Sequence, residues 1–242
     1  HRLIRRQRQM CIRDSPYIMQ KDIKKAFIKV GIGAEKKSKV ISDKEKKITA
    51  YHEAGHAILF HVLPHMDPVY TISIIPTGMG AAGYTMPLPD NDEMFNTKNK
   101  MLEDITTLLG GRVAEEIIFG DITTGASNDI KRATETARSM VMKYGMSEKI
   151  GLIAYGNDDD EVFIGRDLAH TRGYSEEVAR EIDGEISRII RECHENAESI
   201  IRENIGVLHS CAALLLEKEK IHREEFEALF TTEKEEVAKT NE

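Results

Sequence analysis

Apolar residues recur at helical spacing along most of the chain. In QKDIKKAFIKV they fall at Ile23, Phe27 and Val30, which predicts a short amphipathic helix over residues 20–30. The following GIGAEKKSKV, with its glycines and run of lysines, reads as an exposed linker. Ser42, with Glu45 three residues later, is a capping box and opens the next helix. That helix continues through Ile48, Tyr51, Ala54, Ala57 and Ile58 until Pro64 stops it. Between Val69 and Leu88 the pattern changes. VYTISII is β-branched and PTGMGAAGYTMPLP is rich in glycine and proline, so a strand, a loop and a second strand are expected.

Beyond Asp90 the helical period returns. Lys98–Phe119 carries Met101, Leu102, Ile105, Leu108, Leu109, Val113 and Ile117 in register. GDITTGASND reads as a loop, residues 130–144 as a helix, and residues 145–165 as a loop with room for short strands. Ser175–Asn204 predicts a long helix with Ile182, Ile186, Ile189, Cys193, Ala197 and Ile200 on one face. Two shorter helices follow, near residues 207–217 and 222–230, and no internal repeat is found. The expected fold class is mainly α, a helical domain over residues 42–232 with a small β element beside its HExxH helix. Residues 1–19 lack this logic and read as a non-native or disordered segment, and residues 233–242 as a charged tail.

Composition narrows the function classes. The 242 residues carry a net charge of −7, which argues against nucleic acid as the main partner. Cys11, Cys193 and Cys211 form no CxxC and no disulfide framework. Cys193 and Cys211 sit among apolar helical positions and read as buried thiols in a reducing compartment. No stretch reaches the roughly 18–20 apolar residues of a membrane span, and no secretory signal is present, so the chain as given is expected to be soluble.

The chemistry is concentrated in His52-Glu53-Ala54-Gly55-His56. On a helix, positions i and i+4 share a face, so both imidazoles can reach one metal ion. Zinc accepts two such ligands and leaves room for a third protein ligand and a water. Glu53 is then the candidate base that takes a proton from the attacking water. Two surface histidines on an ordinary amphipathic helix are the plainer alternative. Gly55 speaks against it, since glycine in a helix interior costs about 1 kcal/mol relative to alanine and calls for a close approach of backbone or substrate. A third histidine in HExxHxxGxxH is excluded, because Leu59 and Val62 stand at the required positions. His61 and His65 read as ordinary polar or half-buried histidines. Glu115, Glu116 and Asp129 remain as candidate third ligands, and periodicity does not choose among them.

Four stretches carry a resemblance: KSKVISDKEKKITAYHEAGHAIL, ISIIPTGMGAAGYTMPLP, LLGGRVAEEIIFGDITTGASNDIKRATETARSMVMKYGMSEKIG and LLEKEKIHREEFEALF. In this order they resemble the peptidase domain of the FtsH family of membrane-anchored AAA+ zinc proteases, over residues 20–230. The resemblance implies Asp129 as third ligand, Glu53 as catalytic base, one zinc ion per chain and a homo-hexameric ring. Glu115 and Glu116 then become supporting or packing residues, and residues 20–41 resemble the end of an ATPase module with its linker. It further implies polypeptide substrates, an AAA+ ATPase module and a membrane anchor in the full-length protein. That protein is expected in the cell inner membrane, with this domain on the cytoplasmic side.

An aspartate at a helix start is compatible with the ligand role, because backbone donors there hold a short carboxylate rigidly. Gly110-Gly111 would allow close packing on the metal helix. Residues 70–75 are read as an edge strand beside the metal, with Thr71, Ile72, Ser73 and Ile74 as the substrate-binding positions. The glycine-rich residues 78–83 read as a hairpin or flap. No GxxxxGKS/T is present, so ATP is needed only by the ATPase module that the resemblance implies. A stand-alone thermolysin-like peptidase using Glu115 or Glu116, and a non-catalytic zinc-binding scaffold, are the competing readings.

Overall fold

A computed structural model describes residues 19–31, 33, 35, 41–78, 81–89, 94–155 and 174–240. Most of the expected N-terminal segment and of the linker, Cys11, and the loop after residue 155 fall outside the described residues. The chain divides into two units, residues 1–39 with 76–81, and residues 40–75 with 82–242. The first contains helix α1 (Gln20–Gly31) and an antiparallel bridge between Glu35 and Thr77.

The second unit is built around helix α2 (Asp43–Val62). Ser42 closes the expected capping box: its hydroxyl accepts from Glu45 N–H, and Glu45 reaches back to Ser42 N–H. From Ala50 to Leu59 nearly every position but His52 is buried, so α2 is a central helix surrounded on several sides. Its small residues permit this. Helix α3 (Lys98–Phe119), capped by Thr97 and ended by Gly120 at φ 61°, crosses α2 where Gly55 meets Gly110. A Cβ on Gly55 would stand 2.5 Å from the Gly110 carbonyl oxygen, so both glycines are required by the closeness of the crossing.

Helix α4 (Ser127–Met142) begins three residues before the sequence expectation. Thr123 caps a 3-10 turn at Thr124–Ala126, which runs directly into the helix and places Asp129 in its first turn. Helices α5 (Glu176–Glu203) and α6 (Ile205–Lys218) follow, then the short strand β3 (Lys220–His222) and helix α7 (Arg223–Thr240). Strand β3 falls between the two expected helices, overlapping the second only at His222. Three residues are too few to show a period of two, and pairing with β1 (Val69–Ser73) decides their state. α7 runs on through residues 233–240 of the expected charged tail, whose glutamates, lysines and alanines are strong helix formers.

The sheet has the order β2-β1-β3, all antiparallel, with β2 spanning Tyr84–Pro87. Ile72 of β1 faces Thr85 on one side and Ile221 on the other. Two apolar cores result. The first joins α2, β1, α6 and Phe226 of α7 with the C-terminal parts of α3 and α5; the second joins α4 with the N-terminal parts of α3 and α5. Cys211 is buried in the first and Cys193 in the second, each a free thiol. Burial pushes the Cys211 thiol up to about 12, so it stays protonated and inert. Among the described residues no single helix is long and apolar enough to cross a membrane.

Candidate metal centre

His52 and His56 lie one turn apart on α2 and turn their Nε2 atoms towards each other, 3.1 Å apart. Asp129 comes from the first turn of α4. Its Oδ2 is 3.6 Å from His52 Nε2 and 3.8 Å from His56 Nε2. Two imidazole nitrogens and a carboxylate oxygen form a donor set suited to zinc. With metal–ligand lengths of about 2.0–2.1 Å, tetrahedral ligands stand about 3.3 Å apart. The observed triangle is close to such a face, so the residues present fit the ion.

The histidines are oriented from behind. His56 Nδ1 donates to the Thr107 carbonyl oxygen at 2.8 Å, which fixes the tautomer and leaves the Nε2 lone pair for a metal. His52 Nδ1 is 2.8 Å from Glu115 Oε1, and Glu115 Oε2 accepts from Thr123 N–H at 2.8 Å. Glu115 therefore ties the first histidine to the loop that leads to Asp129. Gly111 faces the His52 ring. A Cβ there would stand 2.5 and 2.6 Å from the two ring nitrogens, so only glycine leaves the ring its place.

Charges at the site are strongly interdependent. Among the protein groups alone, burial works to lower the His52 pKa, but hydrogen bonds to Asp129 and Glu115 outweigh it and raise it to about 10. Burial and the neighbouring His52 charge lower His56 to about 4. Both carboxylates beside His52 are held below their usual range despite burial, Asp129 and Glu115 each chiefly by the hydrogen bond to that imidazole. This pocket favours a positive charge among its carboxylates. Glu53 is buried, and desolvation lifts its carboxyl to about 7 against the opposing pull of His52 and of the Thr85 hydrogen bond. Thr85 Oγ1 donates to Glu53 Oε2 at 2.9 Å.

The other candidates lie elsewhere. Glu116 pairs with His194 Nε2 at 3.1 Å, and Glu115 meets the Nδ1 side of His52 rather than the Nε2 side. His61 stacks on Phe230 with ring centroids 4.1 Å apart, and His65 pairs with Glu103 at 2.6 Å. The edge-strand reading of residues 70–75 is corrected. β1 is the central strand; Thr71, Ile72 and Ser73 are paired on both sides, and all four positions Thr71, Ile72, Ser73 and Ile74 are buried. Ile74 N–H is also engaged, donating to the Glu219 carbonyl oxygen at 3.0 Å. The short β3 covers the side that the sequence left open. Thr85, Thr107 and Thr123 were not singled out from the sequence. Their contacts run through a hydroxyl, a carbonyl and an N–H, none of which leaves a motif.

Fold and site together define the class: a helical metallopeptidase built on an HExxH helix. The sequence model of Peptidase family M41 matches residues 39–229, and the chain belongs to that family. It is 52% identical over 216 residues to the ATP-dependent zinc metalloprotease FtsH 1 of a Thermoanaerobacter species, covering 89% of this chain and 35% of the relative. Identity to the ATP-dependent zinc metalloprotease FtsH of Caldicellulosiruptor bescii is 54% over 212 residues, covering 88% of this chain and 34% of the relative. For the FtsH of Thermotoga maritima it is 49% over 220 residues, covering 91% and 36%. The chain thus spans about a third of the length of these relatives.

Proposed function

We propose that the chain is the zinc-dependent endopeptidase domain of an ATP-dependent protease, with His52, His56 and Asp129 as metal ligands and Glu53 as base. The observation that carries this is the convergence of His52 Nε2, His56 Nε2 and Asp129 Oδ2 beside Glu53 on the same helix. Zinc held by these residues would polarise a peptide carbonyl and bring the pKa of a water towards about 7. Glu53 takes a proton from the attacking water on its carboxylate and returns it to the leaving amine. Glu115 and Thr107 hold the two imidazoles in the tautomer and direction that this needs. Among the described residues β2 is paired on one side only, and Thr85 brings it against α2. An extended polypeptide adds to that free edge through backbone hydrogen bonds, with little demand on side chains.

In the whole protein the domain works in a homo-hexameric ring on unfolded or membrane-extracted polypeptides. The resemblance to the FtsH family and the relatives' names, which include ATP dependence, support this. In the same reading an AAA+ module uses the ATP, and a membrane anchor holds the ring at the inner membrane with this domain on the cytoplasmic side.

Elemental analysis of chain purified without chelators, with casein hydrolysis measured before and after chelation, tests the reading. About one zinc per chain and chelator-sensitive hydrolysis are expected. Asp129→Ala should lose zinc, and Glu53→Gln should keep zinc while hydrolysis falls by about 10²–10⁴-fold. Folded chain without zinc, or full zinc in Asp129→Ala, would overturn the assignment.

A further inference from the structure

We infer that Thr85 is a positioning residue for the base: its hydroxyl holds one carboxylate oxygen of Glu53 while Gly83 leaves room for the other. The inference rests on the peptidase reading above. Thr85 Oγ1 lies 2.9 Å from Glu53 Oε2 and 3.0 Å from the Glu53 carbonyl oxygen. Both acceptors belong to one residue, so the hydroxyl stays over position 53 whichever of them takes its proton. At the other carboxylate oxygen, a Cβ on Gly83 would stand 2.9 Å from Glu53 Oε1, and it would also meet the Ser73 carbonyl oxygen at 2.7 Å and Thr49 Cγ2 at 2.8 Å. Thr85 and Gly83 thus stand against one carboxylate oxygen each.

The setting is rigid where it needs to be. Thr85 is paired with Ile72, a fully buried residue of the central strand, so its backbone does not follow the side chain of Glu53. Threonine is β-branched, which restricts its χ1 torsion. Glutamate has three side-chain torsions, and only a donor and a wall select one orientation among them. A misplacement of about 1 Å in a reacting group can cost about 10²-fold in rate. A threonine chosen only for its fit to a strand would be replaceable by valine, which has the same shape and similar β preference. The hydroxyl is the difference.

The deciding comparison is the zinc-loaded chain against Thr85→Val, Thr85→Ser and Glu53→Gln, with an internally quenched peptide as substrate. Thr85→Val should keep the wild-type zinc content and stay folded at the assay temperature, its thermal midpoint lowered only by the loss of one hydrogen bond. Its kcat should fall by about 10–100-fold with KM changed by less than about twofold. Thr85→Ser should regain most of that rate, and crystals of Thr85→Val should show the Glu53 carboxylate turned away from its wild-type position. A wild-type kcat in Thr85→Val, no recovery in Thr85→Ser, or an unmoved Glu53 would overturn the role. So would a rate loss that tracks lost zinc or unfolding at the assay temperature. If Thr85→Val does not fold, Thr85→Ala is judged by the same measurements. If the wild-type chain does not cleave the peptide, the position of Glu53 in the two crystal forms decides. Glu53→Gln at the wild-type rate would instead overturn the peptidase reading itself, whatever Thr85 does.

Discussion

Gly111 is set against a side chain that has to stay in one place. Its missing Cβ makes room for the His52 ring, and the ring is the movable partner in that contact. In Gly111→Ala the easiest relief is therefore a shift of the imidazole, which takes Nε2 out of the triangle with His56 and Asp129. Zinc affinity is expected to fall by about 10–100-fold, the range found when support behind a ligand is lost. Competition with a chromogenic chelator measures this, and unchanged affinity would show that the ring position is not limiting. The His52–Glu115–Thr123 chain predicts a loss of similar size in Glu115→Gln. The sequence contained His52, Glu53, His56 and Asp129 within recognisable patterns. It did not show that Gly110 and Gly111 serve different neighbours, because adjacent residues on a helix point about 100° apart and only the crossing decides what each meets.

Two joints hold the elements in register. Glu219 ends α6 with φ 59°, a left-handed conformation that is unfavourable for a residue with a Cβ. Its carbonyl oxygen accepts from Ile74 N–H at 3.0 Å and starts the pairing of β3 with β1. Among the described residues the side chain makes an exposed ion pair with Lys46, worth little. Glu219→Gly is therefore expected to stabilise the fold by up to about 1 kcal/mol, read as a higher urea midpoint at unchanged slope. A lowered midpoint would mean that the Lys46 pair outweighs the backbone strain.

The second joint is Glu185, a buried carboxylate of α5. It accepts from Ser147 Oγ at 2.7 Å and from Arg188 Nε at 3.0 Å, and Arg188 holds it below the usual carboxylate range. A group whose folded pKa is depressed stabilises above its unfolded value, and loses that contribution as pH falls through the folded value. Glu185→Gln should thus be less stable than wild type at neutral pH by about 1–3 kcal/mol. The difference should shrink as the pH drops below 4, and a difference constant with pH would remove the carboxylate from this account.

At the scale of the molecule, the proposed metal joins two bodies of packing. His52 and His56 belong to the helix at the centre of the first core, while α4, which carries Asp129, places Ala133, Ala137, Met140 and Val141 in the second. An ion held by all three is a cross-link between the cores. At free zinc about 100 times its Kd, the ion would stabilise the fold by about 2.7 kcal/mol. For a domain of this size that is a rise of about 5–10 °C in Tm, which a chelator should reverse. The same treatment should loosen hydrogen-exchange protection at the start of α4 more than in the middle of α5. Equal midpoints with and without chelator would argue against a metal shared by the two cores.

By itself the sequence determined the helical periods, the capping box at Ser42 and the spacing of HExxH, because these depend on residues within a turn or two of one another. It also contained the family pattern that drew attention to Asp129. Three outcomes were left to the tertiary structure. Residues 220–222 became a strand because β1 had an open side, and this left β2 and β3, rather than β1, as the edges of the sheet among the described residues. Glu115 was set behind His52 and Asp129 in front, a choice made by the packing of α3 and α4 and by the turn at Thr124–Ala126. Thr85 reached Glu53 across 32 residues of chain. In each case the deciding energy lies in contacts distant in sequence, where local propensity carries no information.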